Sequence, residues 1–218
     1  MKKQFAVIGL GRFGGSICKT LIELGHEVLA IDTSEHKVSQ FANIVTQAVQ
    51  LDSTDEIALR EIGIRNFDHV IVAIGDNIQA SILTTLILKE FELPFITVKA
   101  QNDYHEKVLS KIGATKVIHP ERDMGVRIAH NLISENVLDF IELSPDYSLV
   151  EIKASEKMVG KSLLQLNIRA KYGCNIMAIK TGEELNISPR AEDVIEPNDI
   201  LVVIGANKDI SKFEENEG

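Results

Sequence analysis

Cysteine is scarce: Cys18 and Cys174 are the only two in 218 residues. They are too few and too far apart for a disulfide framework or a metal knuckle, and a reducing, cytoplasmic compartment is the simplest expectation. Basic charge is also short. Lys and Arg number 23 against 32 Asp and Glu, for a net charge of −9. No basic cluster stands out, which argues against nucleic acid as a partner. No apolar run reaches the roughly 18 residues that read as a membrane span. The first strand begins within a few residues of the start, so no signal peptide is expected. Internal repeats and low-complexity tracts are absent. So are a nucleophile elbow, a Cys–His arrangement and a metal-spaced cluster.

What is present is concentrated between Gln4 and Asp32. The apolar run Phe5-Ala6-Val7-Ile8 reads as a strand. Gly9-Leu10-Gly11-Arg12-Phe13-Gly14 follows, then an apolar periodicity through Phe13, Ile17, Leu21 and Leu24 that ends at Gly25. A second run, Val28 to Ile31, stops at Asp32. Strand, glycine turn, helix, strand and acid stand in the order of a dinucleotide-binding unit. Gly9 permits the tight turn, Gly11 lets a diphosphate approach the backbone, and Gly14 lets the helix pack close to the sheet. The helix N-terminus offers free N–H groups and partial positive charge to phosphates. Asp32 is suited to accept from ribose hydroxyls. Asp32 would repel a ribose 2′-phosphate about 4 Å away by about 4 kcal/mol at an effective dielectric of about 20. NADP is therefore not expected.

Further strands are predicted at Val45–Val49, Asp68–Gly75, Phe95–Ala100 and Lys116–His119, alternating with helices. Ser34, Asn77 and Asp103 read as helix caps. Six strands alternating with helices make a doubly wound parallel sheet, with its crevice beyond the strands' carboxyl ends. Gly9, Asp32, Asp52, Gly75, Lys99 and His119 all fall at such ends. A helix from Glu121 to about Leu138 carries more apolar residues than one face needs, which suggests a subunit contact. Residues 135–145 read as a connector, dividing a domain of residues 1–134 from one of residues 146–218. The second has strands at Ser148–Lys153, Cys174–Ile179 and Ile200–Gly205, short helices from Val159 and over Asp209–Phe213, and an acidic end expected to fray. It reads as a small α+β unit, and at about 70 residues it is marginal alone.

Catalytic chemistry is missing. An NAD-dependent dehydrogenase needs an acid–base group supplied by a substrate domain. Of His26, His36, His69, His105, His119 and His130, only His105 and His119 fall near the expected crevice, and none lies in the C-terminal unit. No residue is poised to activate water, so turnover of ATP is not expected. Arg12, at the helix N-terminus, can reach past a diphosphate and suits a terminal phosphate better than a nicotinamide ring. The residues alone leave three readings open: a nucleotide sensor, an NAD(H)-dependent oxidoreductase or redox sensor, and an oligomerisation module with a vacant site.

The chain resembles the RCK (regulator of K⁺ conductance) family, also called KTN or TrkA-type. Within it, the match is to the cytoplasmic regulatory subunits of Ktr-type bacterial potassium transporters. The resemblance is carried by Phe5 through Ser16, by Val70–Gly75 with Asn77–Ser81, and by Ile118-His119-Pro120-Glu121. In the C-terminal unit it is carried by Ile168–Ile176 and Asp199–Gly205, which look like the RCK-C (TrkA-C) domain. The resemblance implies a Rossmann-like RCK-N domain that binds ATP or ADP, or NAD(H) as in relatives. It also implies homodimers assembled into an octameric ring, peripheral on the inner face of the membrane, on a potassium-transporting subunit. By similarity Asp32 holds the ribose, Asp52 and Ser53 lie near the adenine, and Ile74 and Lys99 to Gln101 line the crevice. His105 is a further contact, Arg12 reaches the terminal phosphate, and Glu121 helps bind a divalent or monovalent cation. Cyclic di-AMP, bound by an RCK-C dimer in several relatives, would meet Leu163, Ile168, Arg169, Asn175 and Ile176, with Pro189 a weaker candidate. One departure is Asn198-Asp199 where the family usually has Gly-Asp, and Asn tolerates the left-handed turn this needs.

Overall fold

The computed structural model describes residues 2–133 and 137–217. They divide into two compact units, residues 1–121 and 122–218. The first begins β1 (Gln4–Ile8), α1 (Arg12–Glu23), β2 (Glu27–Asp32), α2 (Glu35–Phe41), β3 (Gln47–Gln50) and α3 (Glu56–Glu61). A single 3-10 turn at Ile64–Asn66 leads to β4 (His69–Val72), α4 (Ile78–Glu90), β5 (Ile96–Lys99), α5 (Asp103–Ile112) and β6 (Lys116–Ile118). The strands pair in the order β3-β2-β1-β4-β5-β6, all parallel. From β1 the chain builds outward through β2 and β3. It then crosses back to add β4 on β1's other side. That reversal opens a crevice at the carboxyl ends of β1 and β4.

Both faces of this sheet are covered, as its near-continuous apolar strands require. Ala6, Ile8, Leu29, Val70, Val72 and Ile96 pack on one side with Leu59, Leu88 and Leu109. Val7, Val28, Ala30 and Ile71 pack on the other with Cys18 and Phe41. Cys18 is fully buried, as expected of a core residue. Asn77 caps α4 through its side chain, accepting from the Ala80 N–H at 3.0 Å. The cap of α5 is Asn102, one residue before the expected Asp103, because its carbonyl oxygen reaches the His105 N–H at 2.9 Å. Ser34 stands at the N-cap of α2, but its hydroxyl makes no capping bond.

Helix α6 (Pro120–Ile133) starts with proline, which is pre-set for a first turn. It does not continue to Leu138 as expected, and residues 134–136 lie outside the described set. Residues 137–144, expected within a connector, are the eight-residue strand β7 (Val137–Ser144). It pairs antiparallel with β8 (Tyr147–Lys153) across a tight turn. The strand was obscured because Asp139 and Glu142 interrupt its apolar residues. Asp139 is held by an ion pair with Arg127 of α6. His130 of the same helix stacks on Phe140, centroids 4.0 Å apart.

The second unit continues through α7 (Leu163–Leu166), α8 (Ile168–Tyr172), β9 (Asn175–Thr181), β10 (Glu184–Asn186), β11 (Ile200–Ala206) and α9 (Asn207–Glu217). Its strands form one sheet in the order β10-β9-β11-β8-β7. Asn198 takes φ +69°, the left-handed turn anticipated for it. The acidic end does not fray before Glu217. Helix α9 buries Ile210 and Phe213 in the core, and the Glu217 carboxylate accepts from the Tyr172 hydroxyl at 2.9 Å.

Candidate nucleotide-binding site

The glycine turn has three different jobs. Gly9 sits at φ +98°, with the Ala73 backbone 3.0 Å from where a Cβ would stand. Gly14 faces the Gly9 carbonyl so closely that a Cβ would lie 1.9 Å from its oxygen. Gly11 has nothing within 4 Å and caps α1, leaving backbone open toward the crevice. Asp32, only 7% exposed, braces this turn: its Oδ2 accepts the Leu10 N–H at 2.7 Å. Its Oδ1 accepts the Ser34 N–H at 2.9 Å, and Lys37 Nζ lies 3.2 Å from Oδ2.

Beyond the strand ends lies a cavity of about 590 Å³. Gly9, Gly11, Arg12 and Phe13 line it from the turn and α1, and Asp32 from the end of β2. Asp52 and Ser53 reach it after β3, Ile74 and Gly75 after β4, Lys99 from β5 and Glu121 from α6. Asp32 and Lys99 are three strand spacings apart across the sheet, or about 14 Å. Lys37, Thr33 and Asn77 also line it. Sequence reading missed Lys37. The only signal was a basic residue in the first turn after the β2 acid.

The site is highly charged. Lys99 forms an ion pair with Glu121, and its ammonium stands 5.9 Å from the Phe13 ring centroid. The Lys99 hydrogen bond, then a backbone N–H hydrogen bond and the charges of Lys99 and Arg12, holds the Glu121 carboxyl below the ordinary carboxylate range. Asp52 is held low by the Thr54 N–H at 2.9 Å and the Thr54 hydroxyl at 2.8 Å. The Ser53 hydroxyl is engaged with that of Thr84 at 2.8 Å.

Of the residues expected at the crevice, Gly14, Ala100, Gln101, His105 and His119 are not on its wall. Gly14 lies behind the turn, and Gln101 is past the end of β5. His105 is buried, its Nδ1 accepting the Gln101 N–H at 3.3 Å. Burial, then the charge of His119, pushes its imidazole below the ordinary range. His119 is buried against Glu106, Nε2 to Oε2 2.8 Å. With Asp103, these two place ligand atoms within 4.8 Å of one another, a grouping that the sequence spacing did not reveal. In the second unit, Ile168 is a core residue with Leu163 and Ile176 packed against the same core. Arg169 and Asn175 are exposed, on α8 and β9.

Residues 5–120 match the TrkA-N domain and residues 147–218 the TrkA-C domain. The chain belongs to the TrkA-type RCK family. Among RCK relatives it is 66% identical to Ktr system potassium uptake protein C of Bacillus subtilis, over 98% of this chain and 97% of that one. It is 60% identical to Ktr system potassium uptake protein A of the same organism, over 99% and 97%. The protein A of Vibrio alginolyticus is 39% identical, over 93% and 92%. Among solved structures, the GsuK RCK domain superposes with a TM-score of 0.71 at 16% identity, covering all of this chain and 48% of that chain. That likeness concerns the fold alone. Among the described residues, no helix is long and apolar enough to cross a membrane.

Proposed function

We propose that this RCK chain is a nucleotide-sensing regulatory subunit: it binds ATP or ADP in the crevice and gates a membrane potassium-transporting subunit. The observation that carries the reading is the charge layout of the cavity. A glycine turn lies between Asp32 on one side and Arg12, Lys99 and Glu121 on the other. About 14 Å separates the two sides, a span that suits an adenosine reaching a polyphosphate. Three charged groups would be a poor host for a nicotinamide ring. The relatives named as potassium uptake proteins, matched along nearly their whole length, supply the transport role. No enzymatic step is needed in this reading.

The Lys99–Glu121 pair provides the switch. One ammonium cannot fully serve both a carboxylate and a terminal phosphate. When phosphate takes Lys99, Glu121 is released to hold a cation beside it. Arg12 adds a charged hydrogen bond worth about 1.5–3 kcal/mol. Moving a two-state element from 1:99 to 99:1 needs about 5.5 kcal/mol of differential affinity. Several coupled sites, as in an octameric ring of homodimers, would reach it. The apolar stripe Met124, Ile128 and Leu132 is exposed on α6 and suits the contact between copies. The RCK-C unit is the place for cyclic di-AMP inhibition, through Arg169 and Asn175.

Calorimetry with ATP and ADP, with and without divalent cation, tests the site. Arg12→Ala should narrow the ATP-over-ADP preference by at least about tenfold. Glu121→Gln should bind ATP at least as tightly without cation and lose the gain that cation adds. Light scattering should report different assemblies with ATP and ADP. No affinity for ATP, ADP or NADH would sink the reading.

A further inference from the structure

The adenosine end of the crevice is not the lone anion that Asp32 suggests. Its Oδ2 already carries the Leu10 N–H and the Lys37 ammonium, at 2.7 and 3.2 Å. Oδ1 carries the Ser34 N–H. A carboxylate offers about four acceptor positions, so only one is left for a ribose hydroxyl. A second hydroxyl competes directly with Lys37. The side chain of Lys37 is 45% exposed and lines the cavity, so it can leave Oδ2 without losing packing. A phosphate on the ribose needs no acceptor. It brings its own oxygens, and the ammonium is their donor. Lys37 therefore competes with a 2′-hydroxyl but complements a 2′-phosphate.

We propose that Lys37 sets ribose specificity in this crevice, making it tolerant of adenine nucleotides phosphorylated at the 2′ position. An isolated Asp32 would disfavour such a ligand by about a thousandfold at about 4 Å. The cation 3.2 Å from that carboxylate offsets most of it. This inference rests on the adenine-nucleotide reading of the cavity.

The test displaces a fluorescent ATP analogue from the full chain with AMP or with adenosine 2′,5′-bisphosphate. These differ only in the 2′-phosphate. In the unaltered chain the two should compete within about tenfold of each other. Lys37→Ala should strengthen AMP and weaken the bisphosphate, moving their ratio by about a hundredfold or more. Lys37→Arg should keep the original ratio. Opposite shifts in the two probes cannot come from a general loss of structure. If the bisphosphate competes about a thousandfold worse than AMP in the unaltered chain, or both probes move together in Lys37→Ala, the inference falls while the nucleotide site stands. If the analogue itself does not bind, the site reading falls and takes the inference with it.

Discussion

Gly11 and Gly14 are three residues apart and have opposite demands. A methyl group at Gly14 would meet the Gly9 carbonyl oxygen at 1.9 Å. Backbone on both sides cannot yield cheaply, so Gly14→Ala should cost about 3 kcal/mol or more of unfolding free energy, read from a urea denaturation curve. At Gly11 the space is open and φ is an ordinary −73°. Gly11→Ala should cost only about 1 kcal/mol of stability or less, alanine being a poorer N-cap than glycine, but lower ATP affinity at least about tenfold, because the methyl occupies the phosphate's approach. His105 makes a different prediction. Its imidazole is held below the ordinary value of about 6.5, chiefly by burial. As pH falls through about 6.5 the unfolded chain takes up the proton first. Stability that is fully present above that value is then lost as pH falls toward the folded pKa, by at most about 1.4 kcal/mol per unit. His105→Gln should flatten this slope in denaturation curves taken from about pH 7.5 down to about 5.5. His69 is also pushed down by burial, but it persists in the variant, so the difference reports His105 alone.

At the scale of elements, the two sheets are held in different ways. The parallel sheet is covered on both faces by helices, and its strands are legible as apolar runs. The antiparallel sheet relies on short pieces. Helix α9 is one of them: Phe213 is 1% exposed and Ile210 is buried beside it. Tyr172 of α8 sits against Phe213, ring centroids 5.6 Å apart, and its hydroxyl donates to Glu217. Phe213→Ala should therefore cost about 3–5 kcal/mol, seen as an earlier unfolding transition of the second unit. The first unit's transition should stay in place, because each unit has its own core. The helix was expected over Asp209–Phe213, but reading the residues after Phe213 as a frayed tail stopped it one turn short of Glu217. Four of the last five residues are polar or charged, and only the docking of Ile210 and Phe213 shows the helix is anchored.

At the scale of the whole molecule, α6 carries an exposed apolar surface. Leu132 is 80% exposed, and Ile128 and Met124 lie one and two turns before it, at about half exposure. Residues four apart share one face of a helix, so these three form a single apolar stripe. Its polar neighbours Arg127, His130 and Asn131 are engaged with β7. Leu132→Asp should shift the particle toward smaller species in light scattering while leaving the unfolding transition of the isolated species within about 0.5 kcal/mol. Unchanged particle size would remove this stripe from the assembly contact.

The sequence by itself determined the doubly wound sheet, the glycine turn and most of the crevice. These depend on local pattern: strand periodicity, glycines where a side chain would clash, and acids at strand ends. It also carried the family, because the motifs are contiguous. Tertiary structure alone decided that residues 137–144 are a strand, since an edge strand with interspersed acids has no distinctive periodicity until its partner is known. It alone withdrew His105 and His119 from the cavity wall, because nearness to a strand end does not fix where a side chain points. And it alone gave Asp32 its cation. Whether an ammonium five residues on meets a carboxylate depends on how a short helix leaves the sheet, and that is a property of packing rather than of sequence order.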